Sequence, residues 1–367
     1  MSGKDRIREE LEAGVLEGVY PGALLVAGLG GEIVFSAHAG RRSLEPPGYE
    51  VDGETIFDLG SLTKPLVTTL AMMRLVDQGY LDLDRPIAEI LPGSLPDDKA
   101  DITSRLLLCH AAGFPDWRGY YRRLEGVDPE KRKARCRTWV LEEPPVYGPG
   151  KGSIYTDLGF MLLEWVVEEA AGVEMGEYVE SLFFGPLGLE RTFLFRTARP
   201  SGFEKEMFAA TERCPWRGRI LQGEVHDENA FALGGYSGHA GLFGTAGEVF
   251  TLACLLRDHV LGNRNDLFRS ETVRVFFQGQ KDIPGCGRAL GWDMPSRKCS
   301  AAGRHFSKQS VGHLGFPGTS LWMDLENDVQ VVLLTNRVHP TRENRLIQGF
   351  RPRIHDCIME ELGLAKG

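Results

Sequence analysis

The stretch IFDLGSLTKPLVTTLAMMRLVDQGYLDLD, Ile56 to Asp84, decides how this chain is read. Phe57-Asp58-Leu59 reads as a short extended entry and Gly60 as a break. Beyond it the apolar periodicity turns helical: Leu66, Leu70, Met73, Leu75 and Val76 keep to i, i+3, i+4 spacing. Ser61 then opens a helix, and Lys64 follows one turn on, on the same face. A serine hydroxyl is a weak nucleophile until a neighbouring base takes its proton. A lysine is such a base when burial or nearby positive charge lowers its pKa. The helix start adds partial positive charge and free N–H groups, which suit a developing oxyanion. Alone, Ser-x-x-Lys is a weak signal, equally readable as a helix cap and a solvated lysine. Here the following helix is too apolar to lie on a surface, so Lys64 is carried into a packed region, and a buried lysine needs a reason.

Outward from this stretch, Gly22 to Gly40 (GALLVAGLGGEIVFSAHAG) reads as two strands around a Gly-Gly turn. Gly312 to Asp324 and Val329 to Val338 read as a second hairpin, turning at Glu326-Asn327-Asp328. Arg345 to Leu362 reads as a closing helix with Ile354, Ile358, Met359 and Leu362 on one side. The N-terminus reads as an amphipathic helix carrying Ile7, Leu11, Val15 and Leu16. Strands near both ends with helices between them predict an α+β fold: one antiparallel β-sheet flanked by N- and C-terminal helices, with an inserted helical lobe. We place the sheet domain at 1–65 and 224–367, the lobe at 66–223, and a catalytic cleft between them. The helical lobe holds the Ser61 helix, Thr103–Cys109, a basic segment Lys131–Val140, and Leu158–Ala171, the last stopped by Gly172. The run Lys131-Arg132-Lys133 is expected on a solvated face.

The 367 residues are 42% hydrophobic and 25% charged, enough for a large core. A net charge of −9 and a pI near 5.6 argue against nucleic acid or an anionic membrane as partner. No apolar run approaches the roughly 18 to 20 residues of a membrane span. The N-terminus lacks the apolar stretch of a secretory signal. A cytoplasmic location is expected, or an exported one if a leader has been removed. Seven cysteines (Cys109, Cys136, Cys214, Cys254, Cys286, Cys299 and Cys357) are an odd, widely spaced set, which fits free thiols. The nine histidines do not cluster with cysteines or carboxylates at ligand spacing, so neither a metal nor another cofactor is expected. Oligomeric state is left open.

Two further segments complete a constellation. Tyr155-Thr156-Asp157 stands before the helix Leu158–Ala171, after a Gly/Pro-rich loop. His313-Leu314-Gly315 opens a C-terminal strand, where Gly315, and again Gly318, removes a side chain for close approach. In this order the motifs resemble those of the penicillin-recognising serine hydrolases: class C β-lactamases, D-Ala-D-Ala peptidases of the same fold, and related esterases. Ser61-Leu62-Thr63-Lys64 matches their S-x-x-K, Tyr155-Thr156-Asp157 the place of Y-x-N, and His313-Leu314-Gly315 that of K-T-G, of which H-x-G is a variant. The framing segments LLLCHAAGFPDW, GEVHDENAFALGGYSGHAGLFGTA and GHLGFPGTSLWMD also look familial. Neither the S-D-N of class A enzymes nor a G-x-S-x-G elbow is matched.

The resemblance implies a metal-free serine hydrolase that acts through an acyl-enzyme on a small acyl substrate. Ser61 would be the nucleophile, and Lys64 and Tyr155 would share the proton transfers. The N–H groups of Ser61 and Phe316 would form the oxyanion hole, and His313 would line the cleft beside Tyr155. Two departures bear on the substrate. Asp157 replaces an asparagine that donates to a substrate amide, which an ionised carboxylate cannot do. It would favour charged Lys64 and shift the base role toward Tyr155, or it simply caps the following helix. His313-Leu314 replaces a lysine and a hydroxyl residue that hold a substrate carboxylate. Esterase or amidase action therefore leads, followed by D-Ala-D-Ala peptidase and β-lactamase, with a catalytically silent ligand-binding or assembly protein as a reading of another class. His110 is read as a hydrogen-bonded core histidine, His239 as a loop residue with a possible substrate contact, and His226 and Asp227 as structural. Protein purified under non-oxidising conditions should expose seven titratable thiols on unfolding without reductant; two or more missing thiols would show a structural disulfide.

Overall fold

A computed structural model describes residues 3–93, 95–199, 201–296 and 300–365. Strands β1 (Gly22–Leu29), β2 (Glu32–Gly40), β3 (Val311–Leu314), β4 (Ser320–Asp324) and β5 (Val329–Thr335) form one sheet in the order β2-β1-β5-β4-β3. Every neighbouring pair is antiparallel. The two hairpins meet at the centre, where Ala23 faces Thr335 and Leu29 faces Val329. The segment 312–324, expected as one strand, is two. Its chain turns back at Gly315–Thr319, because Gly318 takes a positive φ of 115° that a Cβ would not tolerate beside Thr335 and Arg337.

In chain order the main helices are α1 (Gly3–Leu16), α2 (Leu70–Asp77), α3 (Ser104–Leu108), α4 (Pro129–Glu142), α5 (Leu158–Ala171), α6 (Ala246–Leu261), α7 (Ser270–Phe277) and α8 (Ile347–Glu361). Side chains alternate across a strand, and here both faces are covered. Ala23, Leu25, Ala27, Val331 and Leu333 pack against Ile7 and Leu11 of α1 and Phe350, Ile354 and Ile358 of α8. Leu24, Val26, Val332 and Leu334 join a second core with Val249 and Phe250 of α6 and Leu62, Leu66 and Leu70. That core runs on into α3, α4 and α5, so the sheet and the inserted helices share one apolar interior. The terminal helices lie where expected, but Leu16 is exposed at the end of α1, past the buried face.

Helices α6 and α7 were not foreseen. The first carries a readable start: Thr245 caps it by accepting from the Glu248 N–H at 3.3 Å, the first half of a capping box. The basic run in α4 is not a plain solvated face. Lys133 reaches the buried Glu164 at 2.7 Å, and Arg132 donates to the Ala232 carbonyl at 3.1 Å. Gly172 ends α5 with φ 71°, as the sequence suggests. No helix among the described residues is long and apolar enough to cross a membrane.

Gly315 fixes the seam between the sheet and the Ser61 segment. A Cβ on it would lie 1.9 Å from Thr319 Oγ1 and 2.4 Å from the Leu59 carbonyl oxygen. Gly315→Ala should therefore cost about 1–3 kcal/mol of stability, the usual range for overpacking. Denaturant melts check this, and an unchanged midpoint would show that the seam gives way freely.

Candidate active site

Asp58 and Gly60 set up the turn that presents Ser61. The Asp58 carboxylate accepts from the Gly60 N–H at 2.8 Å and the His226 N–H at 2.7 Å. Gly60 has φ 53°, and a Cβ there would come within 2.6 Å of the Pro317 ring. The expected helix start is real but not α-helical. Residues Gly60–Leu62 make a 3₁₀ turn and Lys64–Thr69 a π-helical segment before α2 begins. Pro65 has no N–H to donate, so a regular α-helical ladder is interrupted at this point, and π-turns recur at functional sites.

The ammonium of Lys64 is fully buried and donates to three oxygens. Ser61 Oγ is 3.1 Å away, Asp157 Oδ1 2.6 Å, and the main-chain oxygen of His239 3.4 Å. It also lies 4.8 Å from the centre of the Tyr155 ring. Burial alone would lower its pKa, but the charge of Asp157 and the nearby Tyr155 outweigh that and push it up to about 12. Tyr155 lies against the Lys64 ammonium, and burial raises its pKa against the opposing pull of the Lys64 charge. The resting site therefore holds an ammonium and a neutral phenol around a partly exposed serine.

The structure also brings His313, Gly315 and Phe316 to this place. The ring of buried His313 lies 5.9 Å from that of Tyr155. Its Nδ1 is 3.0 Å from the Leu314 carbonyl oxygen, so Nδ1 carries the proton and Nε2 is left as an acceptor. Burial is the main cause of its lowered pKa of about 4, so it is neutral near pH 7. The main-chain nitrogen of Phe316 comes within 3.2 Å of where a Gly60 Cβ would stand, next to the Ser61 turn. Asp157 does not cap α5 with its side chain. Its carboxylate turns to Lys64, and Thr156 Oγ1 accepts from the Leu158 N–H at 3.1 Å instead.

Several neighbours were missed or under-read. His110 is a buried, hydrogen-bonded histidine, accepting at Nδ1 from the Thr156 N–H at 3.1 Å, but its ring also lies 4.5 Å from Tyr155. Arg288 Cζ stands 5.5 Å from the same ring, with Nε donating to Asp293 at 2.8 Å. Asp227 caps the turn at Glu228–Ala232 and holds His239 Nε2 at 3.0 Å, behind the Lys64 pair. Burial lowers the pKa of His239, but Asp227 and Asp157 outweigh it and raise it. Ligand atoms of Asp157, Asp227 and His239 lie within 4.8 Å of one another, the one such grouping among the described residues. The Lys64 ammonium already sits on Asp157, the position a metal cation would take.

Two buried arginines back the turn after β3. Arg337 donates to the Phe316 carbonyl from Nε at 3.0 Å and Nη2 at 2.6 Å, and Arg351 donates to that of Thr319 at 3.0 Å. Burial and the charge of Arg337 lower the Arg351 pKa to about 9. No motif marks either residue in the sequence.

The fold and this cleft define a β-lactamase/penicillin-binding-protein type of serine hydrolase. The family profile described as Beta-lactamase matches residues 5–350, and the chain belongs to that family. It is 34% identical over 306 residues to a putative D-alanyl-D-alanine carboxypeptidase of Escherichia coli (strain K12), covering 78% of this chain and 70% of that protein. It is 32% identical over 362 residues to an N-acetylmuramyl-L-alanine amidase of Bacillus subtilis (strain 168), covering 91% and 81%. The octameric penicillin-binding protein homologue from Pyrococcus abyssi superposes with a TM-score of 0.73 at 23% identity, over 98% of this chain and 77% of that one.

The Lys64–Asp157 pair makes a direct prediction. Replacing Asp157 by Asn removes the anion and leaves burial unopposed, so Lys64 should titrate at lower pH than in the wild type. Nitrogen NMR of labelled lysine follows this; a midpoint that stays or rises would show that Asp157 does not govern Lys64.

Proposed function

We propose that the protein hydrolyses small esters and amides through an acyl-enzyme on Ser61. The observation that carries this is the Ser61 Oγ to Lys64 Nζ contact of 3.1 Å at a buried ammonium, beside the Phe316 main-chain nitrogen. In this reading Tyr155 takes the Ser61 proton, and the fixed Lys64 charge stabilises the phenolate that results. Ser61 Oγ bonds to the acyl carbon, and the N–H groups of Ser61 and Phe316 receive the oxyanion. A donor of this kind is typically worth about 3 kcal/mol of barrier. Tyr155 returns the proton to the leaving group. Water then attacks the acyl-enzyme by the same route and frees the acid. Free thiols at all six described cysteines support a reducing, cytoplasmic setting.

Uncharged substrates suit the cleft best. His313 is neutral, Leu314 is apolar, and Asp157 presents an anion where a substrate amide would look for a donor. Partly exposed Phe316, Trp117 and Ile154 flank site residues and offer apolar contact to an acyl chain. Arg288 favours a second reading, cleavage of a D-alanyl peptide. Its guanidinium uses Nε on Asp293, and its remaining N–H groups suit a substrate carboxylate. The name of the Escherichia coli relative points the same way, while that of the Bacillus subtilis relative points to cleavage of another amide.

A panel of p-nitrophenyl esters, nitrocefin and D-Ala-D-Ala peptides decides between them. Wild type should show higher kcat/KM on a short uncharged ester than on nitrocefin, and Ser61→Ala should lose both activity and its fluorophosphonate adduct. His313→Lys with Leu314→Thr should raise nitrocefin turnover relative to ester turnover by roughly ten- to a hundredfold, the worth of one charge-assisted hydrogen bond. Preference for the peptide, lost in Arg288→Ala, would establish the second reading. An adduct that survives in Ser61→Ala would remove Ser61 from the mechanism.

A further inference from the structure

Cys109 and Cys286 come from distant parts of the chain and meet beside Tyr155. Cys109 is buried at the end of α3. Cys286 is partly exposed and lines a groove of about 1640 Å³ that also takes in Lys281 and Arg288. The Cys286 Sγ lies 3.8 Å from the main-chain oxygen of Cys109 and 3.8 Å from that of Arg288. The Ser153 hydroxyl donates to the same Cys109 oxygen at 3.1 Å, and the Cys109 Sγ reaches the Leu106 carbonyl at 3.8 Å. These contacts make the pair unequal. The sulfur of Cys286 and burial push the Cys109 thiol up. The Cys109 sulfur, with help from Arg288, brings Cys286 down against burial. A partly exposed thiol beside a cation and next to a second cysteine has the environment of an oxidant-sensitive residue.

We propose that Cys109 and Cys286 are a hydroperoxide-reactive dithiol, a modification site that closes into a disulfide against Tyr155. The Cys286 thiolate attacks one oxygen of hydrogen peroxide and the O–O bond breaks. The leaving oxygen takes a proton and departs as water, and Cys286 is oxidised to the sulfenic acid. The Cys109 sulfur then displaces the hydroxyl from Cys286, its own proton leaving with that group as a second water. Two thiols and one peroxide thus give one disulfide and two waters.

Closure has a consequence in the cleft. A disulfide holds its sulfurs at about 2.05 Å, so both side chains turn toward each other and the segments that carry them take up whatever that rotation does not. Each segment carries a side chain packed on Tyr155: His110 follows Cys109, with ring centres 4.5 Å apart, and Arg288 follows Cys286, with Cζ 5.5 Å from the ring centre. Acyl transfer should slow on oxidation.

The test treats reduced, full-length protein with a small excess of hydrogen peroxide, blocks remaining thiols with iodoacetamide, and maps peptides without reduction. The expected result is a loss of two hydrogens in intact mass and one cross-linked peptide pair joining Cys109 to Cys286. Ester hydrolysis should fall on the order of tenfold to a hundredfold, as for misplacement of a reacting group by about 1 Å, and return with dithiothreitol. Cys286→Ser and Cys109→Ser should lack the cross-link and keep their activity through peroxide treatment. Recovery of both cysteines in alkylated form, or a bond from either to another cysteine, would overturn the site. Unchanged hydrolysis after the bond has formed would overturn its coupling to Tyr155. A reduced protein without ester hydrolysis would count against the proposed function alone, because the peptide map decides the dithiol by itself.

Discussion

The site depends on one ion pair. Lys64 is completely buried, and an ammonium at that depth either meets an anion or gives up its proton. Asp157 meets it at 2.6 Å. Much of the local architecture serves that contact. The π-helical segment carries Lys64 inward, and the start of α5 delivers Asp157 from the other side. Glu164, about two turns further along α5, accepts from Ser237 Oγ at 2.7 Å and the Gly238 N–H at 3.0 Å. That bracing holds the loop whose His239 carbonyl is the third oxygen around the ammonium.

Charge alternates outward from this pair. Behind Asp157 stands His239 with a raised pKa, and behind His239 stands Asp227, whose acidity is strengthened by the imidazole despite its burial. On the opposite wall His313 is neutral, so the positive charge that faces Ser61 from within the protein is that of Lys64. Arg337 and Arg351 sit behind the Phe316 turn and donate to main-chain oxygens. Arg351 Nη2 also reaches the Gly315 carbonyl at 3.5 Å, which belongs to the peptide group that carries the Phe316 N–H.

The sheet and its terminal helices were legible because their signals are local: Gly30-Gly31 between two short strand-like runs, and periodic apolar residues in Arg345–Leu362. The Ser61, Lys64 and Tyr155 grouping was legible because each motif carries its own spacing, and the structure brings the three together. What escaped the sequence is set by tertiary placement. His110, Arg288, Arg337 and Arg351 take on meaning only through what they touch. The destination of the Asp157 carboxylate was undecided between cap and ion pair, since both rest on the same helix start; a neighbouring threonine took the cap. The break at Gly315–Thr319 was hidden because Gly315 and Gly318 also fit close approach along one continuous strand.

The centre of the sheet joins β1 to β5, pairing Ala23 with Thr335. During synthesis the first hairpin leaves the ribosome long before its partner exists. At about 5–20 residues per second the wait is on the order of tens of seconds. Through that interval β1, apolar on both faces, presents an open edge of the kind that recruits foreign strands. That edge needs shielding until β5 arrives, a demand that the finished sheet no longer shows.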